Sequence, residues 1–394
     1  MNICGIVCEF NPFHNGHRYL IDECRRAFGA DSAVVCVMSG DFVQRGENAL
    51  FLKHDRARAA VAGGADLVLE LPLPWCMAPA ETFARGAVGL LGATGIVTRL
   101  CFGSESGDLP MLRSTARILL RPETDERIRR ELETGCAYAA ARQRALEAMG
   151  GAGTALTQPN DILAVEYLKA LELQALPLEP FAVVRRGARH DAPDEDAYPS
   201  GSFLRERLRA GGSVARWMPE ASLAVLRSGD GPLDAAALET ALLSRLRFLP
   251  EAAFAAAPDV SEGLEKRICA AAHTAPTLDA VVGAASTKRY PRARVRRIAL
   301  SAALGLRAGD AGGLPPYLRV LAANARGLAL LRNMEGRASL PVLTKPAHVR
   351  RLGADAERIF SLGAAAADLC SLGLADPAAR GGDRDWRVGP ALAE

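Results

Sequence analysis

Continuous apolar runs separated by helix-like segments dominate the first half of the chain. The runs occupy residues 3–8, 32–38, 65–71 and 96–102. Few polar residues alternate within them, which is typical of parallel strands covered on both faces. Helical patterns alternate with the runs, at residues 15–28, 54–62 and 81–91. This order predicts right-handed crossovers and an α/β fold with a doubly wound parallel sheet, to which 179–184 adds a fifth strand.

The second half of the chain has a different pattern. Residues 230–375 are rich in Ala, Leu and Arg with helical periodicity, and no second series of strands is evident. The sequence therefore predicts an α/β domain over 1–212 and a mostly helical domain over 213–375. Residues 376–394 carry prolines, glycines and mixed charge, which indicates a flexible tail.

Composition narrows the function only slightly. Lys+Arg 48 against Asp+Glu 45 gives a net charge of +3 over 394 residues, so nucleic-acid binding would need a local basic cluster. The nine cysteines form no C-x-x-C pair, which disfavours zinc and favours a reducing compartment. Met1 leads directly into a core strand and no uncharged stretch reaches the length of a membrane span, so we expect a cytoplasmic protein without a membrane partner.

The loop after the first strand carries the most specific chemistry. It reads Glu-Phe-Asn-Pro-Phe-His-Asn-Gly-His over residues 9–17 and opens a helix. A helix N-terminus offers unpaired N–H groups and partial positive charge to phosphates. His14 and His17 can add hydrogen bonds, and Gly16 leaves room for a base or ribose. The pattern predicts an ATP site with both histidines as catalytic candidates, against the alternative of two structural histidines.

The loop and helix after the second strand add further polar groups at the same sheet edge. Asp41, Gln44 and Arg45 lie between two glycines, and either line the site or form a solvated turn. Lys53 follows, with His54 and Arg56, and could hold pyrophosphate or a carboxylate. We expect Lys53 to be catalytic. Mg²⁺ is expected with ATP; its ligands are open, with Asp41 as a candidate.

Six later residues complete the predicted nucleotide site. Gly103 ends the fourth strand, and Asn160 begins a helix either as its N-cap or facing a ligand. Arg185 and Arg186 follow the fifth strand, where adjacent side chains point in opposite directions unless the chain bends. Ser202 and Arg205 belong to a helix start at 200–205 that either binds an anion or is an ordinary serine cap with a solvated arginine.

A basic run in the second half suggests RNA. It contains six cations and no acid between residues 288 and 297, namely Lys288, Arg289, Arg292, Arg294, Arg296 and Arg297. Tyr290 could stack on a base. Such a cluster favours a phosphate-backbone contact over a solvated charged face, since no acid in the run compensates its charge.

With these residues in view, the sequence resembles the bacterial tRNA(Met) cytidine acetate ligase family of the wider His-x-Gly-His nucleotidyltransferase group. The His-x-Gly-His alone is shared by several enzyme classes, but the ordered set of motifs is specific and spans most of the chain. The matching segments are 9–17, 40–46, 64–72, 102–105, 159–168, 287–290, 317–321 and 341–345.

The resemblance implies a nucleotide-binding α/β domain followed by a helical part. It also implies an ATP-dependent ligase that joins acetate to N4 of the wobble cytidine of elongator tRNA(Met). The residues that it places around ATP are Val7, Glu9, Phe10, Asn11, Pro12, Phe13, His14, Asn15, Gly16, His17, Leu20, Gly103, Asn160, Arg185 and Arg186. One departure is Ser-Gly-Ser-Phe-Leu-Arg at 200–205, where the family has a Ser-Ala-Thr-Ala-Ile-Arg-like stretch.

Chemistry suggests how such a ligase would work. Acetate is already ionised at neutral pH, so the difficulty is the attack of one anion on another, which alignment and charge neutralisation overcome. An acetyl-adenylate would then acylate the cytidine amine. Two rivals stand beside this hypothesis: a small-molecule nucleotidyltransferase or adenylate-forming enzyme of cofactor synthesis, and a non-catalytic RNA-binding protein that uses ATP as a ligand.

Overall fold

A computed structural model describes residues 2–186, 198–261 and 263–392 of the chain. The polar segment 188–198, whose composition predicts a loop, lies outside the described residues except for Tyr198. The strands, numbered along the chain, are β1 (Ile3–Cys8), β2 (Ala33–Ser39), β3 (Phe42–Val43), β4 (Glu47–Asn48), β5 (Leu67–Leu71), β6 (Arg99–Ser104), β7 (Glu179–Val184), β8 (Leu318–Ala323), β9 (Val342–Leu343) and β10 (Ala391–Leu392).

The main sheet has the order β10-β8-β5-β2-β1-β6-β7, with β9 paired to β8. From β5 to β7 every neighbouring pair is parallel, which confirms the predicted α/β fold. Because parallel strands end at one edge, the loops after β1, β2, β6 and β7 meet there. β3 and β4 form a separate antiparallel hairpin directly after β2.

Helices cover both faces of the sheet and form the rest of the protein. The first nine are α1 (Asn15–Phe28), α2 (Lys53–Ala62), α3 (Leu73–Cys76), α4 (Ala80–Ala93), α5 (Leu109–Leu119), α6 (Pro122–Glu133), α7 (Tyr138–Ala148), α8 (Pro159–Leu173) and α9 (Gly201–Arg209). The others are α10 (Glu220–Ser228), α11 (Ala235–Arg247), α12 (Glu251–Ala255), α13 (Leu264–Thr274), α14 (Leu278–Ala285), α15 (Arg292–Leu304), α16 (Ala325–Met334), α17 (Ala354–Ser371) and α18 (Arg384–Arg387).

Strand β1 shows why the first apolar runs form the centre of the sheet. Its side chains alternate between the two faces: Cys4 and Ile6 pack with Ile21 of α1 on one side, while Ile3 packs into the larger core on the other. All seven residues of β2 are buried. Along the described residues, no helix combines the length and apolarity needed to cross a bilayer.

The second half is mostly helical, but it also supplies the strands β8, β9 and β10, which its sequence pattern did not reveal. β8 pairs antiparallel with β5 and extends the sheet built by the first half. The expectation of a flexible tail was wrong for the described residues 376–392: Asp385 of α18 is fully buried, and β10 pairs with β8. Since sheet strands come from both halves, the boundary at residue 212 stays a prediction.

Candidate active site

A cleft of about 1010 Å³ opens at the carboxyl edge of the sheet. The loops after β1, β6 and β7, the β3–β4 hairpin and the first turns of α1, α8 and α9 form its walls. Most of the predicted nucleotide residues line it, namely Val7, Glu9, Phe10, Asn11, His14, Gly16, His17, Leu20, Gly103, Asn160, Arg185, Arg186, Ser202 and Arg205. The structure therefore brings together five separate segments of the sequence.

The two histidines of the cleft cap helix α1. His14 is the N-cap, and its Nδ1 accepts a hydrogen bond from the backbone N–H of Gly16 at 3.0 Å. Nδ1 of His17 accepts from the backbone N–H of His14 at 3.2 Å. A neutral imidazole that accepts at Nδ1 carries its proton on Nε2. Each ring therefore keeps one Nε2–H donor for a ligand in the cleft.

Electrostatics keeps both rings neutral. Burial, with the nearby cations Arg185 and Arg205, lowers the pKa of His14 to about 3. Burial, then His14 and Arg185, holds the pKa of His17 well below its ordinary value. At neutral pH the rings are therefore hydrogen-bond donors without charge, and the positive charge of the cleft comes from its arginines.

Gly16 is required by the position of the first ring. The His14 and His17 rings stack with centroids 3.8 Å apart. A Cβ added at Gly16 would lie 2.9 Å from Cε1 of His14, which is shorter than a normal van der Waals contact. The sequence suggested that Gly16 makes room for a base or ribose; the structure adds that it makes room for His14.

The arginines at the other side of the cleft are held by specific neighbours. Arg205 donates from Nη1 to the carbonyl oxygen of Asn11 at 3.0 Å and from Nη2 to Oγ of Ser202 at 3.1 Å. The guanidinium of Arg186 lies 4.9 Å from the ring centroid of Tyr19. Arg185 and Arg186 both reach the cleft because the chain leaves strand geometry after Val184.

Helix α9 begins regularly despite the departure from the family pattern. Ser200 is its N-cap and accepts from the backbone N–H of Phe203 at 3.2 Å. A Cβ at Gly201 would lie 3.3 Å from Nη1 of Arg205. Glycine at this position therefore gives the Arg205 side chain space. Ser200 is an ordinary serine cap, Ser202 and Arg205 line the cleft, and anion binding by this segment stays a prediction.

Asn160 is not the N-cap of α8, since that position is Gln158. Its Nδ2 donates to Oε1 of Glu105 at 2.5 Å, and Oε2 of Glu105 accepts the backbone N–H of Asp161 at 2.9 Å. Glu105, in the loop after β6, thus accepts hydrogen bonds from backbone N–H groups at the start of α8. The cap interpretation of Asn160 was wrong, and Asn160 lines the cleft.

Three residues of the predicted nucleotide set do not line the cleft. Pro12 and Phe13 are buried, and Phe13 packs in the core beside α1. Nδ2 of Asn15 donates to the carbonyl oxygen of Arg216 at 3.2 Å. These three side chains shape the turn rather than face a ligand.

Lys53 lies outside the cleft, in a buried ion-pair network. Its side chain is 1% exposed, and its ammonium contacts Glu70 at 2.8 Å, Asp41 at 3.5 Å and Asp385. Although burial lowers it, the carboxylates of Asp385 and Glu70 raise the pKa of Lys53 above its ordinary value. With its charge neutralised inside the protein, Lys53 cannot hold pyrophosphate, and its prediction as a catalytic residue was wrong.

The residues around Lys53 are also buried and bonded within the protein, so they stabilise the fold and do not bind a ligand. Asp41 is buried and accepts the backbone N–H of Lys53 at 2.8 Å, so it does not face the cleft as a metal ligand. Arg56 is fully buried and donates from Nε to the carbonyl oxygen of Phe51 at 3.0 Å. His54 lies 3.4 Å from Asp385. This group anchors α2 and α18 to the sheet.

The basic run has counter-charges that its own sequence does not reveal. Arg294 and Arg297 pair with Asp259 at 3.3 and 3.4 Å. Arg292 and Arg296 pair with Asp279, and Arg296 also reaches Glu47 at 2.9 Å. The expectation that no acid compensates the run was therefore wrong.

Exposure divides the basic run into two parts. Lys288, Arg289 and Arg292 are exposed, whereas Arg297 is only 16% exposed. Tyr290 is buried, with the guanidinium of Arg294 5.4 Å from its ring centroid, so it cannot stack on a base. RNA binding by this run stays a prediction, carried by its exposed members.

Some residues that line the cleft were only weakly indicated by the sequence, or not at all. Arg45 lines it beside Gln44, and Tyr198 packs on Tyr19 with ring centroids 5.6 Å apart. An apolar wall is formed by Phe83, Phe102 and Tyr167. Tyr19 lies within the loop–helix segment that the sequence highlighted, but nothing local marked Phe83, which reaches the cleft only through the packing of α4.

The cleft offers few metal ligands. Among the described residues, the one group of three close His, Cys, Asp or Glu side chains is Cys4, Cys24 and Cys101, which is buried in the core away from the cleft. Thiols do not suit Mg²⁺. Asp161 in the cleft wall is occupied by the backbone N–H groups of Glu105 and Ser106. Glu105 is likewise bonded to Asn160 and to the backbone N–H of Asp161, which leaves Glu9 and Asp108 as the remaining carboxylates at the cleft.

Similarity to characterised proteins agrees with this geometry. The HIGH Nucleotidyl Transferase family matches residues 1–385. The tRNA(Met) cytidine acetate ligase of Acetivibrio thermocellus is 37% identical over 367 residues, which is 88% of each chain. That of Syntrophomonas wolfei is 34% identical over 99% of each chain. The chain belongs to the tRNA(Met) cytidine acetate ligase family. This membership confirms the resemblance and identifies the protein as an enzyme of the ligase type.

Solved structures extend the comparison to the whole fold. The apo structure of Thermotoga maritima TmcAL superposes with a TM-score of 0.93 at 30% identity, covering 100% of this chain and 99% of that one. The structure of the same protein bound with alpha-thio ATP gives a TM-score of 0.91. The fold is thus that of a family member which binds an ATP analogue.

Proposed function

We propose that this enzyme uses ATP to activate acetate as acetyl-adenylate and transfers the acetyl group to N4 of the wobble cytidine of elongator tRNA(Met). The observation that carries the proposal is the histidine pair. His14 and His17 present neutral Nε2–H donors at the N-terminus of α1, inside a cleft lined by Arg45, Arg185 and Arg205. Uncharged donors, backbone N–H groups and arginines together suit a polyphosphate.

In the first step an acetate oxygen attacks the α-phosphorus of ATP, the bond to the β-phosphate oxygen breaks, and pyrophosphate leaves. Negative charge on the α-phosphate oxygens grows during this step. The Nε2–H groups of His14 and His17 would donate to them, and Arg185, Arg186 and Arg205 would balance the triphosphate. Lys53 takes no part in this step, because its charge is neutralised by the buried carboxylates of Glu70 and Asp385.

Mg²⁺ would be held mainly by the phosphate oxygens. The described residues place no compact carboxylate set in the cleft, and Mg²⁺ commonly keeps several waters and binds through substrate phosphates. Asp108, the N-cap of α5, is the cleft carboxylate that could approach such an ion.

In the second step the cytidine amine attacks the carbonyl carbon of the mixed anhydride, and AMP leaves. A base in a helical stack cannot enter a cleft of this kind, so a loop base is a suitable substrate. The basic run lies close by: Arg296 pairs with Glu47 of the β3–β4 hairpin, and the same hairpin supplies Gln44 and Arg45 to the cleft. Exposed Lys288 and Arg292 could therefore hold tRNA beside the cleft.

The test incubates the protein with ATP, isotope-labelled acetate and a transcript of elongator tRNA(Met), and measures the modified nucleoside by mass spectrometry. Acetate-dependent ATP–pyrophosphate exchange without tRNA reports the first step separately. We expect labelled N4-acetylcytidine at the wobble position and exchange that prefers acetate over other short carboxylic acids. Exchange with a different acid, or no labelled tRNA, would support the small-molecule alternative.

A further inference from the structure

Glu9 places a carboxylate in a cleft that otherwise concentrates positive charge. It directly follows β1, and its Oε1 accepts the backbone N–H of Gln44 at 2.9 Å. Arg205, the cation with the largest electrostatic effect on it, pairs instead with Glu47 at 4.0 Å. Within the described residues Oε2 has no hydrogen-bond partner. The Glu9 carboxylate repels phosphates and keeps Oε2 as a free hydrogen-bond acceptor. It therefore suits a ligand that donates a hydrogen bond.

The family resemblance groups Glu9 with the residues around ATP, but in the structure Glu9 is bonded to the β3–β4 hairpin, away from the strand ends that carry Gly103 and Arg185. Strands β6 and β7 lie on one side of β1 and carry Gly103 and Arg185 at their ends. Strand β2 lies on the other side and leads into the β3–β4 hairpin, to which Glu9 is bound through Gln44. That hairpin also contacts the basic run: a Cβ at Gly46 would lie 3.0 Å from the backbone nitrogen of Arg297. Glu9 thus faces the side from which RNA would approach.

We propose that the Glu9 carboxylate receives the exocyclic amine of the acceptor cytosine and takes its proton during acetyl transfer. This inference rests on the proposed function. A carboxylate that accepts from N4 is a known way to read cytosine, because uracil presents an oxygen at that position. As N4 bonds to the acetyl carbon, the bond from that carbon to the AMP oxygen breaks. AMP leaves with the electron pair, and one N4 proton passes to Glu9.

The surroundings make Glu9 a better base than an exposed carboxylate. Burial raises the pKa of Glu9, and this effect exceeds the opposing ones of the Gln44 N–H and of Arg205, Arg56 and Arg45. Tyr167 of α8 also lines the cleft, and burial followed by the charge of Glu9 raises the pKa of this phenol. Tyr167 therefore remains a neutral hydroxyl beside the carboxylate, and with Phe102 it offers an apolar surface for a base.

The experiment separates the two half-reactions in the full-length protein. Glu9→Gln keeps the side-chain length and an oxygen that accepts from Gln44, but it cannot take a proton. We expect acetate-dependent ATP–pyrophosphate exchange within about twofold of wild type, whereas single-turnover acetyl transfer to tRNA falls about 100-fold or more. Glu9→Asp should recover part of the transfer rate, since it restores a carboxylate.

A binding measurement tests base reading independently of catalysis. We expect a tRNA transcript with uridine at the wobble position to compete less well than the natural tRNA for the wild type, and nearly equally for Glu9→Gln, whose amide can donate to uracil O4. Transfer by Glu9→Gln within threefold of wild type would overturn the inference, as would a parallel loss of exchange with intact folding by circular dichroism. Absence of acetate-dependent exchange and of tRNA acetylation in the wild type would instead overturn the proposed function.

Discussion

The ammonium group of Lys53 makes a buried ion pair with the carboxylate of Asp385, 332 residues further along the chain. Arg319 of β8 contacts the same carboxylate at 2.7 Å and Glu70 of β5 at 2.8 Å. Although burial opposes it, Lys53 and Arg319 hold the pKa of Asp385 well below its ordinary value. The network therefore fastens a segment near residue 385 to the centre of the sheet.

Replacing one member of this network should destabilise the protein without touching nucleotide binding. Lys53→Met leaves buried carboxylates without their cation, which typically costs about 3–5 kcal/mol. We expect the midpoint of urea unfolding to fall, while the Kd of the folded protein for ATP changes less than threefold. Lys288→Met, at an exposed position, is the matched control. If Lys53→Met kept the wild-type unfolding midpoint but lost ATP–pyrophosphate exchange, Lys53 would have a catalytic role after all.

The histidine pair can be tested with substitutions that separate capping from donation. In His14→Asn the side-chain oxygen can replace Nδ1 as the cap of α1, because Asn is a preferred N-cap, but the Nε2–H donor is absent. We expect the kcat of acetate-dependent exchange to fall about 10²–10³-fold, as for loss of one transition-state donor, with little change in melting temperature.

His14→Ala removes both functions and should lower the melting temperature as well as the rate. His17→Ala should abolish acetate-dependent exchange, because it removes the second Nε2–H donor. If either His14→Asn or His17→Ala retained wild-type turnover, the corresponding ring would have no part in stabilising the phosphate.

Gly16→Ala should damage the site without removing any functional group. The added Cβ would lie 2.9 Å from Cε1 of His14, so the ring must shift. We expect at least a tenfold loss of exchange with an intact fold. Gly363→Ala in α17 has nothing within 4 Å of the added atom and serves as the control, where helix propensity favours alanine. Full activity in Gly16→Ala would indicate that the His14 ring adapts freely.

Stability should fall as the solution is acidified below the ordinary histidine pKa. The folded pKa of His14 is about 3 against 6.5, so between these values the unfolded chain binds a proton that the folded chain does not. Through His14 alone the free energy of unfolding then decreases by up to about 1.4 kcal/mol per pH unit, and His17, whose pKa is also lowered, adds to the decrease. Glu9 acts in the opposite direction, because its pKa is raised by folding.

The contribution of His14 is isolated by comparing wild type with His14→Asn between pH 6.5 and 5, by urea unfolding at each pH. Glu9, Glu70 and Asp385 are common to both proteins, so the difference reports the histidine. The variant should show the shallower slope. Parallel slopes would mean that His14 titrates normally in the folded protein.

Binding of tRNA should depend on the exposed part of the basic run. Lys288→Ala with Arg292→Ala should weaken tRNA binding at about 0.1 M salt, and the slope of log K against log salt should decrease by about one for each phosphate that the variant no longer neutralises. The Kd for ATP should not change. Arg129→Ala, an exposed cation on α6, is the control. Equal affinity and slope in the double variant would place RNA elsewhere.

The first half of the fold was predictable because its signals are local. The apolar run of β1 and the His-x-Gly-His that opens α1 specify a strand, a turn and a helix without distant information, and α1 (Asn15–Phe28) and β7 (Glu179–Val184) have the predicted bounds. The arginines after β7 could likewise be placed at the cleft, because all parallel strands end at one edge.

The errors arose where a residue's partner lies far away in sequence. β8 (Leu-Arg-Val-Leu-Ala-Ala) lies in an Ala- and Leu-rich region, and a short apolar run does not distinguish strand from helix. Lys53 resembled a ligand-binding cation until Asp385 and Glu70 were placed beside it. The basic run resembled a bare cationic patch because Asp259, Asp279 and Glu47 are supplied by other elements.

The antiparallel insertion of β8 beside β5 has a consequence for biosynthesis. A nascent chain that has left the ribosome only as far as α9 would contain five parallel strands of the sheet but would expose the edge of β5. Residues 318–323 must emerge before that edge is covered, and at about 5–20 residues per second this delay lasts several seconds. Ribosome-bound intermediates of this enzyme should therefore be substrates for chaperones that shield strand edges.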